Sequence, residues 1–223
     1  MVHGDHHCRA PRRRWIGKNS VHSPHSGYQQ TMPFALALIA LSIAWRIAAL
    51  SVPGLANFAP LMALTFCGAV YFRDKRLWLV PFAALTLSDL YIDHYYATIL
   101  HYEWSVGGAV LRAACFAAAI GFGLMVARHR SWLNLLSGAI GGSVFFYLVT
   151  NTASWLGDVA YLPNAAGWWQ AMTVGHPAFP PTLWFFRNTL VSDLVFTGAF
   201  AVTMEFAELR AGRASLLAGR ATA

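Results

Sequence analysis

Five charged residues, Arg46, Asp89, Arg112, Arg187 and Asp193, stand inside long apolar stretches of the chain. Near the middle of a bilayer an ionised side chain costs at least about 2.5 to 3.5 kcal/mol on insertion scales, so such a residue has a partner or a task. Two uses fit these residue types. Arginine and aspartate can pair and fix the register of neighbouring helices, or several such groups can line a cavity open to one face. Asn57 and Asn151 add amides suited to recognising a small molecule. A second group, Asp89, Asp93, His94, His101 and Glu103, holds potential metal ligands and raises the alternative of a polytopic membrane enzyme. Its spacing matches no helix with paired histidines and an adjacent glutamate, and the chain has neither a nucleophile elbow nor a phosphate-binding glycine loop. The expectation is a protein that is not an enzyme and has no intrinsic cofactor, with a structural membrane protein as a third reading.

These residues must be positioned by helices in lipid. Hydrophobic residues make up 57% of the chain and charged ones only 11%, against roughly 25% charged in a soluble domain. Apolar runs occupy 33–52, 59–72, 77–92, 107–127, 132–156 and 182–206. A hydrocarbon core of about 30 Å needs about 20 apolar residues. The second and third runs are short for that, and suit tilted, re-entrant or neighbour-shielded segments. The expected fold is all-α: a polytopic bundle of six transmembrane helices over residues 32–209. It is preceded by a disordered cytoplasmic tail, 1–31, and followed by a cytoplasmic tail, 210–223, into which the last helix extends before fraying near Gly219.

Basic residues test this division independently, because lysine and arginine accumulate in short cytoplasmic loops. Thirteen of the sixteen fall before the first run, between the second and third, between the fourth and fifth, or after the sixth. The alternate connections, 53–58, 93–106 and 157–181, contain none. Both termini are therefore expected in the cytoplasm. The same pattern accounts for the net charge of +7 as orientation and attraction to anionic lipid, and leaves no reason to infer nucleic acid as a partner. Polar residues separate Arg14 from the first run, which is long enough to span, so cleavage as a signal segment is not expected. The cysteines, Cys8, Cys67 and Cys115, have no disulfide-framework spacing.

Smaller features remain open in meaning. Ala40, Ala44 and Ala48 form a smooth stripe along the first helix, either packing within the chain or letting another helix approach closely. His6, His7 and Cys8 are metal-ligand types without a supporting scaffold. Ser88-Asp89-Leu90 and Ser192-Asp193-Leu194 echo each other. The connections carrying Tyr161, Trp168, Trp169 and His176, and His94, Tyr95, Tyr96, His101 and Tyr102, are either interfacial anchors or a cover for a flat, partly apolar ligand.

Over residues 35–206 the chain resembles bacterial membrane proteins related to the substrate-binding S components of energy-coupling-factor vitamin transporters. The likeness rests on Asn57-Phe58-Ala59-Pro60, Pro81 with Ser88-Asp89, Asn151 with Trp155, and Phe185-Phe186-Arg187-Asn188-Thr189 followed by Asp193. It implies a bacterial cytoplasmic-membrane protein that captures a vitamin or micronutrient beneath its outer loops. The candidate ligand-binding residues are Asn57, Asp89, Asn151, Trp155, Arg187 and Asp193 from these motifs, Arg112 from the charges within the apolar runs, and Cys67, where this chain departs from the apolar or small residue usual in the family. Ala40, Ala44 and Ala48 look like the stripe that docks on a coupling subunit, and ATPases would be further partners. The chain is also similar in size and topology to solitary cobalamin carriers. Cobalamin is therefore a candidate transported ligand, with Cys67 a soft ligand to its cobalt; otherwise Cys67 is a small buried hydrophobe. The topology predicts that a cysteine placed at Asn164 is labelled from outside intact cells and one at Ser20 only after permeabilisation; equal protection, or labelling of Ser20 from outside, contradicts it.

Overall fold

The computed structural model describes residues 24–72, 74–99, 101, 104–215 and 217. No strand occurs among them. The helices are α1 (Pro24–Ala48), α2 (Ala63–Tyr71), α3 (Leu79–Ile99), α4 (Val106–Arg128), α5 (Trp132–Gly157), α6 (Ala165–Met172) and α7 (Thr182–Arg210). Helices α1, α3, α4, α5 and α7 contact one another in that order, and α7 returns to α1. The closed ring surrounds α2, whose nine residues are all buried.

Among the described residues, four segments are long and apolar enough to cross a membrane: Met32–Ser51, Val106–Arg128, Trp132–Gly157 and Thr182–Arg210. Most of their surface points away from the bundle; only 22% of the Trp132–Gly157 window is buried. Leu41, Met125, Leu133, Ile140 and Val202 are exposed on them, an arrangement that belongs in hydrocarbon. The six spans expected from sequence are thus four by this measure. Helix α2 is only about 14 Å long at 1.5 Å per residue, and is shielded by neighbours. Helix α3 is long enough, but its second half carries Asp89, Asp93, His94 and three tyrosines.

Sequence dictates where several helices begin. Ser105, Ser131 and Asn164 accept hydrogen bonds from the amides of Gly108 (3.0 Å), Asn134 (3.1 Å) and Gly167 (2.9 Å), capping α4, α5 and α6. Helix α1 starts at Pro24, a residue preorganised for a first helical position, so the last part of the tail expected to be disordered is helical. His6, His7 and Cys8 lie outside the described residues. At the other end α7 stops at Arg210, and Gly212 adopts a φ of +70°. Residues 211–215 then fold back rather than extending the helix. Glu208 pairs with Arg213, holding that guanidinium's pKa above its ordinary value chiefly through the hydrogen bond, and Leu217 is buried in the core.

Between helices in lipid there is little hydrophobic driving force, so close packing of small residues does the work. A Cβ on Gly123 of α4 would lie 2.4 Å from the Phe66 carbonyl oxygen and 2.7 Å from the Ala69 Cβ on α2. One on Gly121 would meet nothing within 4 Å. Gly123→Ala should therefore force α2 and α4 apart and destabilise the protein by about 1 to 3 kcal/mol, read as a lowered Tm in detergent, whereas Gly121→Ala should leave Tm unchanged.

Candidate functional site

Connections gather at one end of the bundle, the end holding residues 49–58, the end of α3 with 101 and 104–105, and 158–181; Arg128, Arg130 and Arg213 mark the opposite, basic end. The loop-rich end is built on two carboxylate systems. On α3, Asp89 accepts from Arg46 of α1 through one oxygen and from Arg112 of α4 through the other. Arg112 also pairs with Asp93, which accepts from the Trp104 indole at 2.8 Å. Ser88 accepts from Arg46 at 3.3 Å and donates to the Leu85 carbonyl at 2.9 Å. Two arginines and two aspartates balance, and the network ties three helices of the ring at one level.

The second system is inside the ring. Helix α2 begins at buried backbone, and its N-cap residue, Met62, has no capping side chain. Asp193 of α7 supplies the cap from across the bundle: one oxygen accepts from the Met62 and Ala63 amides, both at 3.0 Å. Its other oxygen lies 2.7 Å from the Ser143 hydroxyl of α5. Asp193 is fully buried. A carboxylate at a helix N-terminus satisfies orphan donors and meets the positive end of the helix dipole.

Above Asp193, toward the loops, lies a cavity of about 320 Å³ lined by α5, α7, Asn57 and the 158–181 connection. Asn57 has a left-handed φ of 60°, which asparagine tolerates better than most residues. Its segment is pinned to α7: the Asn188 amide donates to the Ala56 carbonyl at 3.0 Å and the Gly54 carbonyl at 3.3 Å, and Thr189 donates to the Asn57 carbonyl at 3.3 Å. Asn151 donates from its amide nitrogen to the Tyr147 carbonyl at 2.8 Å, leaving its oxygen as an acceptor. Tyr147 and Phe186 pack at 4.3 Å between ring centroids. The roof is fastened to α5 by Trp155 donating to the Leu162 carbonyl at 2.9 Å, Trp168 donating to Thr152 at 3.1 Å, and Tyr147 donating to the Met172 carbonyl.

At the mouth, Asp158 and the His176 Nε2 are 4.0 Å apart. The Ala178 amide donates to His176 Nδ1 at 3.0 Å, which needs a lone pair there and places the ring proton on Nε2, facing Asp158. No lysine or arginine lines the cavity among the described residues.

Of the residues expected to bind a ligand, the cavity brings together Asn57 and Asn151. Asp89 and Arg112 are consumed by the ion network, Asp193 by the α2 cap, and Trp155 by the roof. Arg187 is exposed, over the Trp184 ring at 5.7 Å and against Asn188. Cys67 is fully buried on α2 and does not line the cavity. Among the described residues no three metal-ligating side chains converge; Glu103 lies outside them. His176 was marked in the sequence only as a member of an aromatic connection and Asp158 was not singled out, since a carboxylate in a loop carries no burial signal. Ala40, Ala44 and Ala48 all face outward from the ring, so the stripe does not pack within the chain.

These features define an all-helical, membrane-embedded protein with a polar cavity at one end of a closed helix ring. A family model described as a family of unknown function, DUF6580, matches residues 27–215, and the chain belongs to that family. No curated protein and no solved structure matches it. The ion network makes a testable demand. Asp89→Ala strands the buried Arg46 and leaves Arg112 with Asp93 alone, and should cost about 3 to 5 kcal/mol in unfolding titrations in detergent, while Asp93→Ala, which leaves both arginines paired with Asp89, should cost less.

Proposed function

We propose that the protein captures a small vitamin-like molecule at the loop-rich end, facing outward, for passage across the bacterial cytoplasmic membrane, with both termini in the cytoplasm. The observation that carries this reading is the cavity itself, which combines the Asn57 and Asn151 amides, aromatic walls and one carboxylate with no lysine or arginine. It agrees with the resemblance to S components, and the outward-facing Ala40, Ala44 and Ala48 suit docking of a coupling subunit that would bring ATPases. The basic end, with Arg128, Arg130 and Arg213, then faces the cytoplasm.

The lining argues for the class of ligand. Phe185, Phe186, Tyr147 and Tyr161 offer flat apolar surface to a heteroaromatic ring. Asp158 is the one carboxylate in the lining, with no lysine or arginine beside it, so a neutral or cationic ligand is favoured over an anion. A volume of about 320 Å³ suits a molecule of one or two rings; a corrinoid would need several times that space.

A thermal-shift panel on the purified protein tests this with thiamine, pyridoxine, riboflavin, biotin and cyanocobalamin. A neutral or cationic member should raise Tm, as stabilisation of about 2.7 kcal/mol is available at a hundred times Kd. The shift should vanish in Asn57→Ala and Asn151→Ala, and Asp158→Asn should weaken a cation selectively. Stabilisation by biotin or cyanocobalamin alone would overturn the ligand class. Turnover of a substrate that depends on added metal and is lost in His94→Ala would favour the enzyme alternative.

A further inference from the structure

Besides the Thr86 hydroxyl on α3, three buried hydroxyls, those of Tyr71, Ser192 and Thr197, have no hydrogen-bond partner among the described residues. Each is more than nine-tenths buried, and an orphan polar group in such a place costs about 1 to 3 kcal/mol. All three lie on α2 or α7, whose contact runs through the middle of the ring.

The same contact carries the buried acids. Thr189 and Tyr147 line the cavity, and one turn further along their helices stand Asp193 and Ser143. Asp193 lies within electrostatic reach of Cys67 on α2, and Cys67 lies beside Thr197. One turn on from Cys67, Tyr71 stands within reach of Glu205 of α7 and Arg130. Glu205 bonds to Ser215, and Glu208 and Arg213 pair at the basic end. Helix α7 rises about 18 Å from Asp193 to Glu205, and one-turn steps of about 6 Å are distances that a single hydrogen-bonded water spans. Hydroxyl, thiol and carboxyl groups can each both accept and release a proton.

Asp193 has room for that proton. Ser143 lies 2.7 Å from Asp193 and 3.1 Å from the Ala139 carbonyl, yet its hydroxyl has one hydrogen for two acceptors. With a proton on Asp193, the carboxyl donates to Ser143, Ser143 donates to Ala139, and both contacts are hydrogen bonds. The groups facing Asp193 are the Met62 and Ala63 amides and Cys67 from α2, and Ser143 from α5; none is cationic.

We infer that Asp193, Cys67, Thr197, Tyr71 and Glu205 form a file that conducts protons between the cavity and the basic end, with Asp193 as its proton-holding group. A proton enters at one face and leaves at the other with no net bond change, driven by the membrane potential. The file needs no ligand in the cavity to carry a proton.

The test uses the full chain in lipid vesicles containing pyranine, with a potassium diffusion potential set by valinomycin. Wild-type vesicles should acidify several-fold faster than protein-free ones. Asp193→Asn, which keeps the oxygen that caps α2, and Glu205→Gln should fall to the protein-free rate. Tyr71→Phe and Thr197→Val remove hydroxyls without partners, should fold normally, and should slow conduction; they decide the matter if the acid variants do not fold. An infrared carboxylic-acid C=O band present in wild type and missing in Asp193→Asn would support the proton on that residue. Wild-type flux equal to that of empty vesicles, or wild-type flux in folded Tyr71→Phe and Thr197→Val, overturns the inference. Flux is read with no ligand added, so that a failure here and a failure of ligand binding are separate results.

Discussion

A helix that starts inside a membrane protein has N–H groups that neither water nor lipid can satisfy, and α2 is such a helix. Its first turn is closed by a carboxylate from another helix, Asp193, and by nothing local, since Met62 cannot cap. This contact fixes where α2 begins, and with it the segment from Asn57 to Met62 that leads up to the cavity. It also fixes α7 against the centre of the ring. Close approach then follows from residue size: Gly123 lets α4 reach the α2 backbone, and a Cβ on Gly138 of α5 would lie within 2.8 Å of the Phe66 ring. Without the cap, α2 would present unsatisfied amides to a shell of apolar side chains, each costing several kcal/mol in hydrocarbon.

The two buried carboxylate systems do different electrical work. Asp89 lies between two arginines and is neutralised by them. Asp193 meets hydrogen-bond donors but no cation. This division leaves the arginines of the loop-rich end occupied: Arg46 and Arg112 by aspartates, Arg187 by the face of Trp184. The cavity between α5 and α7 therefore takes its charge from Asp158 alone.

Much of the helical framework could be read from sequence because lipid enforces it. A continuous apolar run signals a buried or spanning helix, and the runs at 107–127, 132–156 and 182–206 correspond to α4, α5 and α7 within a few residues. Helix α2 was harder. Its run looks like a short span, and only the ring of neighbours shows that it is enclosed. For site residues, an aspartate in an apolar run announces that it has work, but not which work. Asp89 and Asp193 sit in identical Ser-Asp-Leu tripeptides, yet one joins arginines while the other caps a helix. The difference lies in what faces them across the bundle, and a single sequence carries no record of that. Asp158 and His176 were hidden for the opposite reason: in a polar connection their types are unremarked until folding places them at a cavity mouth.

The position of Asp193 joins the two halves of the molecule in a way neither half does alone. It stands one turn from Thr189, whose hydroxyl holds the Asn57 carbonyl, and its other contact is the first turn of α2. An ionised carboxylate there attracts the positive end of the α2 dipole; a protonated one keeps the hydrogen bonds but loses most of that charge interaction, typically about 0.3 to 1 kcal/mol and more when partly buried. On the proton-file proposal, each proton passing through Asp193 therefore loosens and restores the anchor of the segment bearing Asn57. Because Asn57 lines the cavity, proton occupancy and cavity shape share one joint. By linkage, any ligand that prefers one position of Asn57 must also prefer one protonation state of Asp193.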